Sequence, residues 1–403
     1  MLQPAKVPLN DLARRNESTI LMAVLDGLGG LYHPQKGGSE LEIANTPNLD
    51  QLAKSSSLGV SEPVGPGITP GSGPGHLALF GYDPVTHEIG RGVLEALGIG
   101  LELNPTQIAA RGNFCTLNSD GEVVDRRAGR VDSHTATDLC ERLNSIDLPG
   151  TSFEIHHVKD HRFVLILSGE GMSSHISETD PQTLGVPTVE SRGISTEAAK
   201  ASQAVNHITS EARRILKDET LANGILLRGF SSLPELPNFK SMTQLNPAAI
   251  AAYPMYKGLA KLIGMTVLSA GTSFEEELLT LKRHFDEFDF FFLHYKATDT
   301  AGEDGNFEAK VAALEYFDQR LPQILDLGAN VTIIAGDHST PALLAGHSWH
   351  PVPLLINSRW THGTDDAMFS ETYCANGSLG KIPAASIMAL ALAHSGKLNK
   401  FGP

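Results

Sequence analysis

A single serine hydroxyl stands in a segment made mostly of glycine and proline. Residues 65–76 hold five glycines and three prolines around Ser72, and His76 ends the segment. The apolar residues 77–80 that follow predict the first turns of a helix. Glycine lets a backbone approach a ligand closely, and a serine at a helix start lies beside unpaired N–H groups and the positive end of the helix dipole. The pattern indicates an anion site, usually for phosphate, with a glycine-rich surface loop as the alternative.

Potential metal ligands follow three apolar segments that each predict a buried parallel strand. The segments and the residues that follow them are 19–25 with Asp26, 289–295 with Asp299, and 330–335 with Asp337 and His338. A fourth cluster, residues 347–350, holds two histidines before another predicted strand. The carboxyl ends of the strands share one edge of a doubly wound sheet, so we expect these side chains to converge. Taken alone, each aspartate is more often a turn or helix-capping residue.

Carboxylates and imidazoles in one site suit Mn²⁺, Mg²⁺ or Zn²⁺. Four or more such groups, beside a hydroxyl on a phosphate-binding loop, favour a two-metal phosphoryl-transfer site. Two ions can activate a nucleophile and stabilise both the attacking and the leaving oxygen. Ser72 would be that nucleophile, and a phosphoserine would be the intermediate.

The rest of the sequence predicts an α/β core with an insertion. Alternating apolar and helical segments predict the core, including one helix over residues 246–262. Residues 104–237 differ, because short strands joined by turns predict antiparallel pairing there. We therefore predict a doubly wound core domain formed by residues 1–103 and 238–403, with residues 104–237 inserted as an α+β domain.

The composition limits the classes of partner. The 403 residues carry a formal net charge of −15, which argues against nucleic acid or an anionic membrane as the main partner. An anionic substrate would need a local basic patch. The three cysteines are far apart and form no CxxC pair, which favours a reducing compartment. With no apolar signal-peptide core and no membrane-spanning segment in the sequence, we predict a cytoplasmic protein and leave homo-oligomer formation open.

The order of the motifs resembles that of a known family. The motifs are LDGLGG (25–30), TPNLDQLA (46–53), ITPGSGPGHLALFGYDP (68–84), RGNFCTL (111–117), DRRAGR (125–130), GDHSTP (336–341) and HPVP (350–353). Together they resemble the archaeal-type branch of the 2,3-bisphosphoglycerate-independent phosphoglycerate mutases, in the alkaline phosphatase superfamily. The resemblance covers nearly the whole chain, and it implies an alkaline-phosphatase-like core sheet.

The resemblance also implies two divalent metal ions. The implied ligands are Asp26, Ser72, Asp337 and His338 for one ion, and Asp299, Glu303 and His347 for the other. Many relatives have histidine at the position of Glu303. A carboxylate there favours harder ions such as Mn²⁺ or Mg²⁺ over Co²⁺ or Zn²⁺, or else it weakens the second site. His350 is a competing ligand that we rank below His347.

The insertion resembles a cap that moves over the metal site and binds substrate. Its DRRAGR turn brings Arg126, Arg127 and Arg130 together, and guanidinium groups bind carboxylate and phosphate through paired hydrogen bonds. Three solvated arginines are the alternative. Further candidates for substrate binding are Arg228, His161 and Arg162 in the insertion, and Lys257 and Lys296 in the core.

The activity implied by the resemblance is the interconversion of 3-phosphoglycerate and 2-phosphoglycerate in glycolysis and gluconeogenesis. Ser72 would take the phosphoryl group, and glycerate would turn under the cap and receive it on the other hydroxyl. The alternatives are a metal-dependent phosphatase or a phosphopentomutase with the same core, or a non-catalytic protein that binds phosphorylated ligands. Glu303 favours the non-catalytic alternative, and the presence of Ser72 with Asp337-His338 argues against it.

Overall fold

The computed structural model describes residues 9–402. Residues 1–8, on which the prediction of no signal peptide partly rests, lie outside this range, as does Pro403. Among the described residues, no helix is both long enough and apolar enough to cross a lipid bilayer.

Two sheets and a set of helices form the described part of the chain. The strands are β1 Ile20–Leu25, β2 Ser57–Glu62, β3 Gln107–Leu117, β4 Val123–Asp125, β5 Ser152–Lys159, β6 Arg162–Ser168, β7 Gly224–Ser231, β8 Pro247–Ile250, β9 Thr266–Val267, β10 Phe290–Tyr295, β11 Val331–Ala335, β12 Val352–Ser358 and β13 Gly380–Pro383. The α-helices are α1 Leu9–Leu12, α2 Glu40–Ile43, α3 Pro47–Ala53, α4 Ser72–Leu79, α5 Arg91–Gly98, α6 Ser133–Leu143, α7 Ala199–Ile215, α8 Phe239–Thr243, α9 Pro254–Leu262, α10 Phe274–His284, α11 Ala297–Glu303, α12 Phe307–Leu325, α13 Glu371–Ala375 and α14 Ile387–His394.

These elements belong to two compact units. The core unit comprises the chain up to Glu88 and from Leu236 onward, and the inserted unit comprises Ile89–Glu235. The inserted unit therefore begins before residue 104, where the sequence analysis placed the start of the insertion. Helix α5 belongs to it because this helix packs against β3 and β7.

An eight-stranded sheet forms the centre of the core unit, in the order β13-β2-β12-β11-β1-β10-β8-β9. Neighbouring strands are parallel except for β12, which is antiparallel to both β11 and β2. Every residue of β1, β10 and β11 is buried, which explains why these segments are apolar nearly throughout. The predicted α/β fold class is confirmed.

Residues 246–262 do not form the single helix that the sequence predicted. Pro247–Ile250 forms β8, which pairs in parallel with β10, and the helix begins only at Pro254. The alanines in this segment favour a helix locally. All four residues of β8 are buried, however, and pairing within the sheet outweighs the local preference.

The inserted unit is built on an antiparallel five-stranded sheet. Its strands follow the order β4-β3-β6-β5, and β7 also pairs with β3. Helices α6 and α7 bury apolar side chains such as Leu139 and Ile208 in one cluster with Phe163 of β6. This combination of antiparallel strands and helices is the α+β pattern expected for the insertion.

Candidate active site

Three adjacent strands bring the predicted ligands to one edge of the core sheet. β1 pairs with β10 on one side and with β11 on the other, all in parallel. Asp26 follows β1 directly, Asp299 lies in the first turn of α11 after β10, and Asp337 follows β11. Because β12 runs antiparallel to β11, the segment between them, which carries His347, returns to the same edge.

Asp26, Asp337 and His338 form the first ligand group. One potential ligand atom from each lies within 4.8 Å of the others, and all three side chains are completely buried. His338 Nε2 lies 3.3 Å from Asp26 Oδ1 and 3.1 Å from Asp337 Oδ2. Ser72 Oγ lies 3.2 Å from the same nitrogen. The four side chains predicted for one metal ion thus meet around His338 Nε2.

Helix α4 holds Ser72 in place. Ser72 is its first residue, and His76 in the next turn donates a hydrogen bond from Nδ1 to the Ser72 carbonyl oxygen at 2.9 Å. A Cβ atom at Gly75 would lie 2.2 Å from the carbonyl oxygen of Asp337, so only glycine allows this helix to pack so closely on the ligand loop. The glycine-rich sequence therefore brings a helix N-terminus, which attracts anions, next to buried carboxylates.

The hydrogen bonds around His338 determine which nitrogen can bind a metal ion. Thr340 Oγ1 donates to Asp299 Oδ1 at 2.8 Å and lies 2.8 Å from His338 Nδ1. Because the threonine proton is directed to Asp299, Nδ1 of His338 is the donor in the second contact. This tautomer leaves the lone pair of Nε2 facing Asp26, Asp337 and Ser72.

Asp299 and His347 form the second group, and the ring of His338 lies against it. The His347 ring stacks on the His338 ring with centroids 3.6 Å apart. His347 Nδ1 donates to the carbonyl oxygen of Pro70 at 2.9 Å, so Nε2 is left as the ligand atom. His347 Nε2 lies 3.6 Å from Asp299 Oδ1 and 3.5 Å from Glu303 Oε1.

Glu303 is near this group but is held less firmly. It lies four residues after Asp299 on α11, which places both carboxylates on one helix face. Its side chain is 56% exposed, whereas that of Asp299 is 1% exposed. The tight cluster of potential ligands comprises Asp299, His338 and His347 without Glu303.

His350 makes different contacts. Its Nδ1 lies 3.1 Å from Ser348 Oγ, and its ring stacks on Trp349. It is not a member of either group of converging ligand atoms in the described residues. The geometry therefore favours His347 over His350, in the order that the sequence suggested.

Lys296 links the two groups electrostatically. Its Nζ donates to Asp26 Oδ2 at 3.0 Å and to Asp299 Oδ2 at 2.6 Å. Burial and the neighbouring Asp337 raise the pKa of Asp26, but Lys296 and the buried His294 outweigh both and hold that pKa below its usual range. For Asp299, burial and repulsion from Asp26 prevail, so its pKa is raised despite Lys296.

The donor set fits divalent metal ions. Asp26 Oδ1 and Asp337 Oδ2 are buried and accept no well-directed hydrogen bond within residues 9–402, although His338 Nε2 faces both atoms and His76 Nδ1 lies 3.1 Å from Asp337 Oδ2. Buried carboxylate oxygens need a partner, and two such atoms facing one imidazole nitrogen form an unfinished coordination shell. Oxygen and nitrogen donors of this kind suit Mn²⁺, Mg²⁺, Co²⁺ or Zn²⁺.

Some of the arginines predicted to bind substrate lie near a carboxylate, and others are exposed to solvent. Arg126 forms a two-point ion pair with Asp180 at 3.0 and 2.7 Å, and Arg228 Nη1 lies 4.0 Å from the same carboxylate. Arg127 and Arg130 are exposed on the turn. The first arginine of the sequence motif therefore already has a carboxylate partner, and substrate binding by the motif stays a prediction.

A denser arginine cluster lies elsewhere in the inserted unit, and the sequence analysis missed its centre. The charges of Arg91, Arg111, Arg162 and Arg228 all act on the single buried carboxylate of Glu95. Arg111 Nε is buried and lies 3.3 Å from Glu95 Oε1, whereas the buried Nε of Arg162 has no hydrogen-bond partner among the described residues. The signal that could have identified Arg111 is an arginine that directly follows the apolar residues Ile108, Ala109 and Ala110.

Lys257 lies on α9 in the core unit and is partly buried. Burial raises the pKa of the neighbouring Glu277 carboxyl, and the charge of Lys257 offsets part of that rise. No described contact joins Lys257 to the two ligand groups, so its role in substrate binding stays a prediction.

Comparison with known proteins identifies one family to which the chain is similar. A family model described as 2,3-bisphosphoglycerate-independent phosphoglycerate mutase matches residues 53–222. Curated proteins named probable 2,3-bisphosphoglycerate-independent phosphoglycerate mutase, from Thermosipho melanesiensis and Thermus thermophilus, are each 47% identical over 98% of both chains. The chain belongs to this mutase family. The family assignment made from the motifs is therefore confirmed.

Solved structures support the fold of the family. The protein PH0037 from Pyrococcus horikoshii aligns with a TM-score of 0.83 at 28% identity, covering 96% of this chain and 100% of that one. A cofactor-independent phosphoglycerate mutase from Thermoplasma acidophilum aligns with a TM-score of 0.69 at 27% identity, covering 94% and 100%. Both alignments extend over nearly the whole chain.

Proposed function

We propose that this chain interconverts 3-phosphoglycerate and 2-phosphoglycerate through a phosphoserine at Ser72, without 2,3-bisphosphoglycerate, as a cytoplasmic enzyme of glycolysis and gluconeogenesis. One observation carries the mechanism: the Ser72 hydroxyl lies 3.2 Å from His338 Nε2, a nitrogen that also faces the buried carboxylates of Asp26 and Asp337. Full-length relatives at 47% identity that are named as such mutases support the substrate.

Two divalent metal ions fit the ligand groups. The proposed ligands are Asp26, Ser72, Asp337 and His338 for one ion, and Asp299, His347 and Glu303 for the other. When bound, the ions would lower the pKa of the serine hydroxyl and neutralise the charge of the phosphoryl oxygens. The many carboxylate oxygens favour Mn²⁺ or Mg²⁺, with Co²⁺ and Zn²⁺ as alternatives.

The reaction has two transfers of the same group. Ser72 Oγ loses its proton and forms a bond to phosphorus, while the bond between phosphorus and the C3 oxygen of the substrate breaks and that oxygen gains a proton. The C2 hydroxyl of the retained glycerate then loses its proton and forms a bond to phosphorus, while the bond between phosphorus and Ser72 Oγ breaks and Ser72 recovers its proton. Lys296, which already binds Asp26 and Asp299, would contribute positive charge beside the phosphoryl group.

We further propose that the inserted unit binds the anionic groups of the substrate. Arg111 of β3 and Arg228 of β7 are directly opposite each other on paired strands. Like charges in such positions destabilise a sheet, and Glu95 and Asp180 offset them locally. A phosphate and a carboxylate on one ligand would remove the remaining repulsion.

A metal-depleted assay tests the proposal. Protein without metal is incubated with 3-phosphoglycerate in the absence of 2,3-bisphosphoglycerate, each metal is restored in turn, and both 2-phosphoglycerate and free phosphate are measured. We expect metal-dependent 2-phosphoglycerate. Ser72→Ala should abolish turnover, because Ser72 carries the attacking hydroxyl, whereas Ser61→Ala, a buried serine in β2, should retain activity.

The other possible results of this assay would each contradict one part of the proposal. Free phosphate as the main product would indicate a phosphatase and refute the retention of glycerate. Substantial mutase activity in Ser72→Ala would refute the phosphoserine intermediate. Turnover that survives complete removal of metal would refute the two-metal site.

A further inference from the structure

A completely buried lysine lies beneath the two ligand groups. Lys310 is on α12, and its Nζ donates three hydrogen bonds of 2.9 Å each, to the carbonyl oxygens of Gly27, Gly29 and Thr340. An ammonium group has three N–H donors, so the three carbonyls satisfy it completely. The charge itself is not paired with a carboxylate through any of these bonds.

Burying an ammonium group is costly, which makes this arrangement informative. Burial lowers the pKa of Lys310, and the carboxylates of Glu40, Glu371 and Asp299 offset part of that effect. Glu40 accepts a hydrogen bond from the Ala342 N–H at 2.6 Å, and Glu371 accepts one from the Gly30 N–H at 2.9 Å. These carboxylates therefore hold the same two loops from other directions.

The two loops are those that carry the ligands. Residues 27–30 directly follow Asp26, and residues 339–342 directly follow Asp337 and His338. Thr340 is the residue that contacts both His338 and Asp299 through its hydroxyl. Lys310 thus joins the backbone that follows β1 to the backbone that follows β11, next to the residues that carry the ligand atoms.

We propose that Lys310 is a positioning residue that sets the separation of Asp26 from His338 and Asp299, and thereby the affinity of the site for divalent metal. The proposal rests on the metal sites of the proposed function. Lys310 itself contacts neither a ligand atom nor, in the proposed reaction, the substrate. Its effect passes through three backbone carbonyls, and we expect it to be strong because outer residues of metal sites are held to tight geometry.

A second buried lysine offers a matched control. Lys397 is 1% exposed, and its Nζ donates to the Asn16 carbonyl oxygen at 2.7 Å and to Asp289 Oδ2 at 3.1 Å. Asn16 and Asp289 precede β1 and β10, so this lysine lies at the opposite edge of the core sheet. Replacing either lysine by methionine removes one buried ammonium group and keeps a side chain of similar length.

The experiment compares Mn²⁺ binding to metal-depleted wild-type protein, Lys310→Met and Lys397→Met by isothermal titration calorimetry. Both variants should unfold at lower temperature than the wild type. We expect the dissociation constant for Mn²⁺ to rise by about 10- to 100-fold in Lys310→Met. In Lys397→Met we expect it to stay within about twofold of the wild-type value, since loss of stability alone does not move the ligands.

Equal Mn²⁺ affinity in the wild type and Lys310→Met would overturn the proposal and leave Lys310 with a purely stabilising role. A similar loss of affinity in Lys397→Met would overturn it as well. A wild-type protein that binds no Mn²⁺ would instead refute the metal sites of the proposed function, and the proposal with them.

Hydrogen exchange of the wild-type protein provides a test if Lys310→Met does not fold. Residues 27–30 and 339–342 should become protected together, at the same Mn²⁺ concentration, because Lys310 couples them. Protection that develops in one segment at a clearly different concentration from the other would contradict this coupling.

Discussion

The histidines of the candidate site show how a hydrogen bond at one end of a side chain frees the other end. His338 uses Nδ1 for Thr340, and His347 uses Nδ1 for the Pro70 carbonyl oxygen. In both rings Nε2 is then the atom that faces the carboxylates. Hydrogen-bond partners of this kind fix the tautomer and the orientation of the histidine ring, and a metal site depends on both.

Glu303 is the position at which this chain departs from the ligand pattern implied by the resemblance of its motifs. Replacing Glu303 by histidine should shift activity from Mn²⁺ or Mg²⁺ toward Zn²⁺ or Co²⁺, because imidazole is a softer donor than carboxylate. We expect the ratio of Zn²⁺-supported to Mg²⁺-supported activity to rise on the order of tenfold, measured as kcat/KM with each metal. Glu308→His, an exposed glutamate that pairs with Lys36, is the control. An unchanged ratio in Glu303→His would place Glu303 outside the ligand set.

Strand pairing explains why the arginines of the inserted unit differ in their readiness to bind an anion. Arg126 has its own carboxylate partner, Asp180, at two points. Arg111 and Arg228 have more distant carboxylate partners, Glu95 at 3.3 Å and Asp180 at 4.0 Å, and they oppose each other across β3 and β7. Burial lowers the pKa of Arg111 to about 10, the neighbouring arginines lower it further, and Glu95 offsets part of this effect. A pair of strands that places like positive charges opposite each other is stabilised when an anion binds to those charges.

Arg228→Gln should therefore weaken substrate binding. Loss of a charged hydrogen bond of about 1.5–3 kcal/mol corresponds to a rise in KM of roughly 10- to 100-fold. The value of kcat should change much less, since the lost contact is present in both the ground state and the transition state. Arg214→Gln on α7, whose side chain is 68% exposed, should leave KM unchanged. If both variants match the wild type in KM, the arginine cluster does not bind substrate.

The stability of the whole molecule should depend on pH through a carboxyl group outside the candidate site. Glu277 on α10 is 3% exposed, and its Oε1 has no hydrogen-bond partner in residues 9–402. Burial raises its pKa to about 8, although a backbone hydrogen bond from Ala252 and the charge of Lys257 lower it in part. The folded protein then keeps a proton on Glu277 at pH values where the unfolded chain has released it.

This difference in protonation determines the sign of the pH dependence of stability. As pH rises from about 5 to 8, the free energy of unfolding should fall by up to about 1.4 kcal/mol per pH unit from this group. Glu277→Gln carries no proton to lose, so it should be more stable than the wild type at pH 8 and equal to it near pH 5. Urea unfolding of both proteins at the two pH values measures the effect. A constant difference between the two proteins would show that Glu277 is ionised in the folded state.

Local patterns predicted many elements correctly, and the errors have a common cause. The apolar segments 19–25, 289–295 and 330–335 form β1, β10 and β11, each within one residue of the predicted start. The segment at 246–262 was assigned wrongly because its alanines favour a helix, whereas pairing with β10 decides the structure. Local preference is worth less than burial in the centre of a sheet.

The sequence by itself determined the family, the α/β class and the residue types of the site, because those depend on motifs and on periodicity along the chain. Only the tertiary structure decided which atoms meet: that His338 faces Asp26 and Asp337 through Nε2, that Arg126 is already paired, and that Lys310 joins two ligand loops. Lys310 did carry a signal, since it lies between Phe307 and Leu314 on the apolar face of α12, but its partners are backbone atoms. Contacts with backbone carbonyls leave no mark on the identity of the accepting residue, so no sequence pattern could have named them.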